Sequence, residues 1–235
     1  MQGKIYLIPI PIGDDQLEST IPSKVPEVVR NLNHFIVENI RTARRYIRQL
    51  SREKNIDNIK FYILNKYTSE QEYANFFQPV NQGYDIGIIS EAGVPGVADP
   101  GGEIVRLAHK KNIEIIPLVG PSSIILALMA SGLNGQNFAF RGYLPIKKNE
   151  RVKAIKQLEK ISRTEGKTQI FMETPYRNMQ LLSSLLDSCS SNSLLCIATN
   201  ITSPNEFIKT QEIGKWKKNP PDLNKLPTIF LLYAG

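Results

Sequence analysis

The stretch Ser90-Glu91-Ala92-Gly93-Val94-Pro95-Gly96-Val97-Ala98-Asp99-Pro100-Gly101 decides how this chain is read. It follows the apolar run Ile86-Gly87-Ile88-Ile89 and precedes a helical pattern over 102–111, so it links a buried strand to a helix. Glycine lets a ligand approach the backbone closely and proline removes conformational freedom. A turn dense in both presents fixed amides and carbonyls. It is not a phosphate-binding P-loop, since no Gly-Lys-Ser/Thr follows, nor does it have the spaced glycines of a dinucleotide fingerprint.

Two further apolar runs end in the same manner. Residues 5–10 run into Pro11-Ile12-Gly13, and residues 113–119 run into Gly120-Pro121-Ser122-Ser123. Helical patterns over 26–32, 40–51, 69–81 and 102–111 alternate with these runs. This alternation predicts an α/β fold with a parallel sheet flanked on both faces, and places any site at the carboxyl ends of the strands. The second half predicts a mixed sheet: a helix over 122–131, a segment at 138–144, a helix over 150–163, a strand at 169–172, a helix over 178–186, and strands at 194–199 and 228–233. Residues 215–225, with one Trp and two prolines, read as a loop. Two α/β lobes, 1–117 and 118–235, are expected.

Composition bounds the function classes. The chain has 235 residues, 41% hydrophobic and 22% charged, as ordinary globular domains have. No apolar run reaches the ~18 residues of a membrane span, and the N-terminus lacks a signal-peptide core, so a cytoplasmic protein is expected. With two Cys and two His, neither a disulfide framework nor a thiolate zinc site is supplied, and no metal is expected. Lys and Arg total 29 against 22 Asp and Glu, a formal charge of +7. That suits an anionic partner such as nucleic acid, and equally a basic surface without a specific partner. Arg41, Arg44, Arg45 and Arg48 fall at helical spacings that make one cationic stripe.

The turn at 90–101 resembles the Ser-Asp-Ala-Gly-Thr-Pro...Asp-Pro-Gly motif of the ribosomal RNA small subunit methyltransferase I family, within the tetrapyrrole methylase superfamily. Residues 5–13 are similar to that family's opening strand and Thr-Pro-Ile-Gly turn, and 37–45 to its Glu-Asp-Thr-Arg-x-Thr-Arg helix. Residues 120–133 resemble its Pro-Gly-Pro-Ser...Ser-Gly-Leu segment, 140–151 its Gly-Phe-Leu-Pro-x-Lys-x-x-x-Arg segment, and 170–177 its Glu-Ser-Pro-His-Arg turn. The pieces keep their order over nearly the whole chain.

The resemblance implies an enzyme, an S-adenosylmethionine-dependent methyltransferase of two α/β lobes with the donor in the cleft between them. It implies methylation of a ribose 2′-hydroxyl, on a cytidine of small-subunit ribosomal RNA, and pairing as a homodimer. By motif, S-adenosylmethionine is expected to touch Pro11, Glu91, Ala92, Gly93, Val94, Val97, Ser122, Ser123, Ile124, Glu173, Pro227 and Thr228. Glu38 and Glu173 are the candidate proton acceptors. Each has a structural alternative: Glu38 could pair with Arg41 on the helix surface, and Glu173 could cap the turn at Pro175. Arg41, Arg44, Arg45, Lys147, Arg151 and Arg177 are the candidate contacts to an RNA substrate or the small ribosomal subunit. Asn39 stands where the family usually has Asp, Thr42 where it often has His and Tyr176 where it has His, and residues 200–203 lack its basic side chains. A tetrapyrrole-like small molecule or a protein side chain is the alternative acceptor.

Overall fold

The computed structural model of the protein describes residues 2–13, 17–65 and 67–235. The chain divides into two compact units, Met1–Ser122 and Ser123–Gly235, each built on its own five-stranded sheet.

In the first unit β1 (Ile5–Ile8) is followed by α1 (Leu17–Thr20), α2 (Lys24–Asn31), β2 (His34–Val37) and α3 (Ile40–Leu50). After a 3-10 turn at Ile56–Asn58 come β3 (Lys60–Ile63), α4 (Glu70–Phe76), α5 (Gln78–Asn81), β4 (Ile86–Ile89), α6 (Gly101–Lys110) and β5 (Ile115–Pro117). The sheet order is β3-β2-β4-β1-β5 and every pairing is parallel. Because helices cover both faces, the central strands β1 and β4 are apolar along their length. Ile8, Phe35 and Val37 pack with Val29 of α2 and Ile47 of α3 on one face, while Ile5, Ile36, Ile86 and Ile88 pack with Phe77 and Ile104 on the other. The chain leaves β1 toward β2 and leaves β4 toward β5 in opposite directions. The carboxyl ends of β2, β4 and β1 therefore lie side by side where the winding reverses, the usual place for a ligand in such sheets.

The second unit runs α7 (Ser123–Ser131), β6 (Phe138–Tyr143), α8 (Lys148–Glu165), β7 (Thr168–Met172), α9 (Asn178–Ser188), β8 (Leu194–Thr199), β9 (Phe207–Glu212), α10 (Ile213–Lys218) and β10 (Thr228–Tyr233). Its order is β6-β7-β10-β8-β9, with β6 parallel to β7 and the other neighbours antiparallel. The sheet is mixed, as the sequence predicts for this half.

Several elements differ from the sequence reading. Strands β2 and β3 lie in a region read only for its helices, and β9, whose sequence Phe-Ile-Lys-Thr-Gln-Glu is mostly polar, carries no strong strand signal. The helix expected over 69–81 breaks into α4 and α5, because Pro79 lacks an N–H and its ring would clash with the carbonyl one turn back. The loop expected over 215–225 begins as α10. Trp216 is buried there, and its Nε1 donates to the Leu195 carbonyl at 2.9 Å, pinning the short helix to β8. Among the described residues no helix is long and apolar enough to cross a membrane, and no group of three or more His, Cys, Asp or Glu could hold a metal ion.

Candidate active site

The turn at 90–101 is held by the strands and helix it joins. Gly93 and Ile10 exchange backbone hydrogen bonds of 2.9 and 3.0 Å, tying the turn after β4 to the end of β1. Gly93 has φ +71°, and a Cβ there would lie 3.2 Å from both Ile12 Cγ2 and the Pro121 carbonyl oxygen, so both conformation and space call for glycine. Gly120 is stricter in space: a Cβ would sit 2.0 Å from the Pro9 Cβ, which is how the turns after β1 and β5 come together. Asp99 closes the far end. Its carboxylate accepts from the Gly96 N–H at 2.9 Å and the Gly101 N–H at 2.7 Å, pinning the turn to the start of α6.

Next to this turn, at the end of β2, stands Glu38. Its Oε1 accepts from the Glu91 N–H at 3.3 Å, and the Glu91 carboxylate accepts from the Thr42 hydroxyl of α3 at 3.3 Å. Burial pushes the Glu38 carboxyl above its ordinary value; the Glu91 N–H opposes that shift, and the negative charges of Asp99 and Glu91 add to it. Burial also raises Asp99, against the pull of its amide donors. Glu38, Ser90 and Asp99 bound a common void of about 10 Å³, at most the size of one water. A half-buried carboxylate with a raised pKa is a better proton acceptor than a solvated one.

Helix α3 begins at Asn39, whose side chain accepts from the N–H groups of Arg41 and Thr42 at 2.9 and 3.4 Å. Asn and Asp cap helices equally well, so the departure from the family's Asp keeps the local structure. Tyr46 fixes the other side: buried in the core, its hydroxyl donates to the Pro9 carbonyl at 2.6 Å and so anchors the turn after β1. Arg41, Arg44, Arg45, Arg48 and Arg52 all line one open concavity of about 1030 Å³, shared with Leu17, Glu18, Gln49, Ile56 and Asp57.

The structure thus brings Pro11, Glu91, Ala92, Gly93, Val94, Glu38, Arg41 and Thr42 to one edge of the first sheet. Glu91, Ala92 and Val97 are exposed there, and Pro11 and Val94 are half-buried. Ser122 ends the first unit half-buried. In the second unit Ser123 opens α7 and Ile124 is buried within it. Pro227 accepts from the Asn200 N–H at 3.0 Å, and the buried Thr228 hydroxyl donates to the Leu226 carbonyl at 2.9 Å.

For three of the expected residues the geometry favours a structural role. Arg151 is 4% exposed; its Nε donates to Ser184 Oγ at 3.0 Å and its Nη1 to the Ile146 carbonyl at 2.7 Å, so it ties α8 to α9 and is not offered to a phosphate. Glu173 is 5% exposed and accepts from the Thr174 N–H at 2.6 Å and from Arg177 at 2.7 Å. Burial pulls its pKa upward, but those two donors outweigh it and leave the carboxyl below its ordinary value. A lowered, ion-paired carboxylate is a poor proton acceptor, so the turn-capping alternative is the role the geometry supports. Arg177 is committed to the same pair. Lys147 is exposed beside Glu150 at 3.6 Å and stays open to solvent. The clamps that sequence reasoning left unassigned are Asp99, visible in the motif but given no task, and Tyr46, whose partner lies 37 residues away and leaves no local signal.

Comparison with known proteins places these features in a family. The profile of the tetrapyrrole (corrin/porphyrin) methylases matches residues 4–216. A ribosomal RNA small subunit methyltransferase I from Buchnera aphidicola subsp. Schizaphis graminum is 32% identical over 99% of this chain and 79% of its own length. The Escherichia coli O157:H7 protein of that name is 27% identical over 98% of this chain and 78% of its own. In fold, the crystal structure of the methyltransferase CobJ superposes with a TM-score of 0.65 over 98% of this chain and 94% of that one, at 14% identity. The parallel sheet with its glycine turn and the mixed second sheet therefore belong to a methyltransferase of the tetrapyrrole methylase family, and the chain is a member of that family alongside the ribosomal RNA small subunit methyltransferase I proteins.

Proposed function

We propose that the enzyme transfers a methyl group from S-adenosylmethionine to a ribose 2′-hydroxyl, that of a cytidine in small-subunit ribosomal RNA. The observation that carries this reading is the edge of the first sheet, where a rigid glycine turn, a half-buried carboxylate of raised pKa and an arginine-faced helix meet within one set of hydrogen bonds. The names and coverage of the relatives support the acceptor class.

The donor, when bound, supplies an electrophilic methyl on a sulfonium. The residues present fit it: Gly93 and Gly120 let three turns close on one another without side chains between them, and Glu91 and Ala92 are left exposed on the resulting shelf. Pro11, the backbone of 91–94, and Val97 would hold the donor there. The transfer is an in-line displacement, so alignment and exclusion of competing water are the protein's main tasks. A ribose hydroxyl is a weak nucleophile. Glu38 would take its proton as the hydroxyl oxygen is methylated. Arg41 and Arg44 follow Glu38 in sequence on α3, line the concavity beside that helix and suit bidentate phosphate contact.

Incubation with small ribosomal subunits and methyl-labelled donor is expected to place label in the RNA. Donor binding by calorimetry with no labelled RNA would sink the acceptor assignment.

A further inference from the structure

The donor shelf involves only the first turn of α3, yet the arginines continue well past it. Arg41 and Arg48 are seven residues apart, about 10 Å along the helix axis at 1.5 Å per residue, and Arg52 lies beyond the last turn. All five arginines open into the same concavity. Of the two carboxylates on its wall, Asp57 is already paired with Arg44 at 3.3 Å, and the Arg44 guanidinium also lies 5.9 Å from the Phe61 ring centroid. These two contacts occupy Arg44, an exposed side chain, with partners of its own. Among the described residues, no carboxylate forms an ion pair with Arg41, Arg45, Arg48 or Arg52. A helix face that carried this charge only for solubility would intersperse acids at three- and four-residue spacing, and α3 carries none.

We infer that this concavity is a docking groove for the phosphate backbone of the acceptor RNA outside the target nucleotide, with Arg48 and Arg52 as its distal contacts. The inference rests on the RNA reading above and adds to it a surface, a direction and a division of labour. The backbone runs from the shelf at Asn39 outward along α3. A 10 Å run corresponds to roughly three base steps at about 3.4 Å each. Arginine forks take phosphate oxygens bidentately and carry no base information, so the groove supplies affinity and register while the shelf supplies chemistry.

The test is equilibrium binding of small-subunit RNA across a salt series by the full chain, by Arg48→Glu plus Arg52→Glu, and by a control of equal charge change, Lys156→Glu plus Lys160→Glu on the exposed face of α8. Thermal melts verify that each variant is folded. The distal arginine pair is expected to weaken binding at least tenfold and to reduce the slope of log K against log salt by about two, one per phosphate contact removed, with a much smaller effect from the lysine pair. Equal losses from both pairs would mean that net charge alone acts, and would overturn the groove, as would wild-type binding that is indifferent to salt. Methyl transfer to the same RNA separates the two claims. Transfer without any effect of the arginine pair on binding removes the groove and keeps the enzyme's acceptor, whereas arginine-dependent binding without transfer keeps the groove and removes the acceptor.

Discussion

Glu38 is the side chain on which the proposed chemistry depends, and its environment makes two effects of one substitution separable. The carboxyl is raised above its ordinary value of 4.5 by burial and by the charges of Asp99 and Glu91. A folded-state pKa above the unfolded one contributes stability that is present below the ordinary value and lost as pH rises through the folded value, so at neutral pH the ionised side chain is a cost to the fold. Glu38→Gln is therefore expected to keep or raise the melting temperature at neutral pH while lowering methyl transfer by roughly 10²- to 10⁴-fold, the usual range for a general base. The wild-type rate should rise with pH along a single ionisation whose midpoint lies above that of a solvated glutamate. A variant both unstable and inactive would assign Glu38 to structure alone. The contrast with Glu173 is instructive, because both lie in motifs that the sequence marked. One faces an amide and two like charges; the other is closed by Thr174 and Arg177. The neighbours of Glu173 are one and four residues away, as its turn-capping alternative anticipates, whereas Glu91 and Asp99 reach Glu38 from more than fifty residues along the chain and leave no local signal.

At the scale of elements, the turn after β4 and the start of α3 should fail in different ways. Gly93→Ala forces a Cβ into φ +71° and against Ile12 and Pro121, for a cost of about 1–2 kcal/mol. It should also distort the shelf, so that donor affinity in calorimetry falls more than the melting temperature alone accounts for. Asn39→Ala removes the cap of α3 at a cost of about 1 kcal/mol, and Asn39→Asp should restore it. Unchanged donor binding in Gly93→Ala would detach the turn from the donor. The turns themselves were readable because Gly and Pro mark them locally. Strands β2 and β3 were not, since four-residue strands between strong helical patterns carry too few residues for a period to show. Strand β9 hides its face among Lys209, Thr210 and Gln211, and α10 is short and set by the burial of one Trp rather than by any helical period.

For the whole molecule, the order of family motifs along the chain carried more than any one of them. The turn at 90–101 speaks for a methyl donor, whereas the acceptor rests on matches that extend over both units and on a charge of +7 concentrated in part along α3. Composition could suggest an anionic partner without placing it; the concavity lined by Arg41 to Arg52 gives that charge an address. Arg151, by contrast, adds its charge to no open surface: the fold turns it inward to join α8 to α9. The acceptor atom is what distinguishes the proposed activity from every other methyl transfer. Small-subunit RNA labelled by the enzyme and a methyl-labelled donor, digested to nucleosides and resolved by mass, should carry the label on the ribose oxygen of a cytidine. Label on a base, or label recovered only in protein or small molecules, would contradict it.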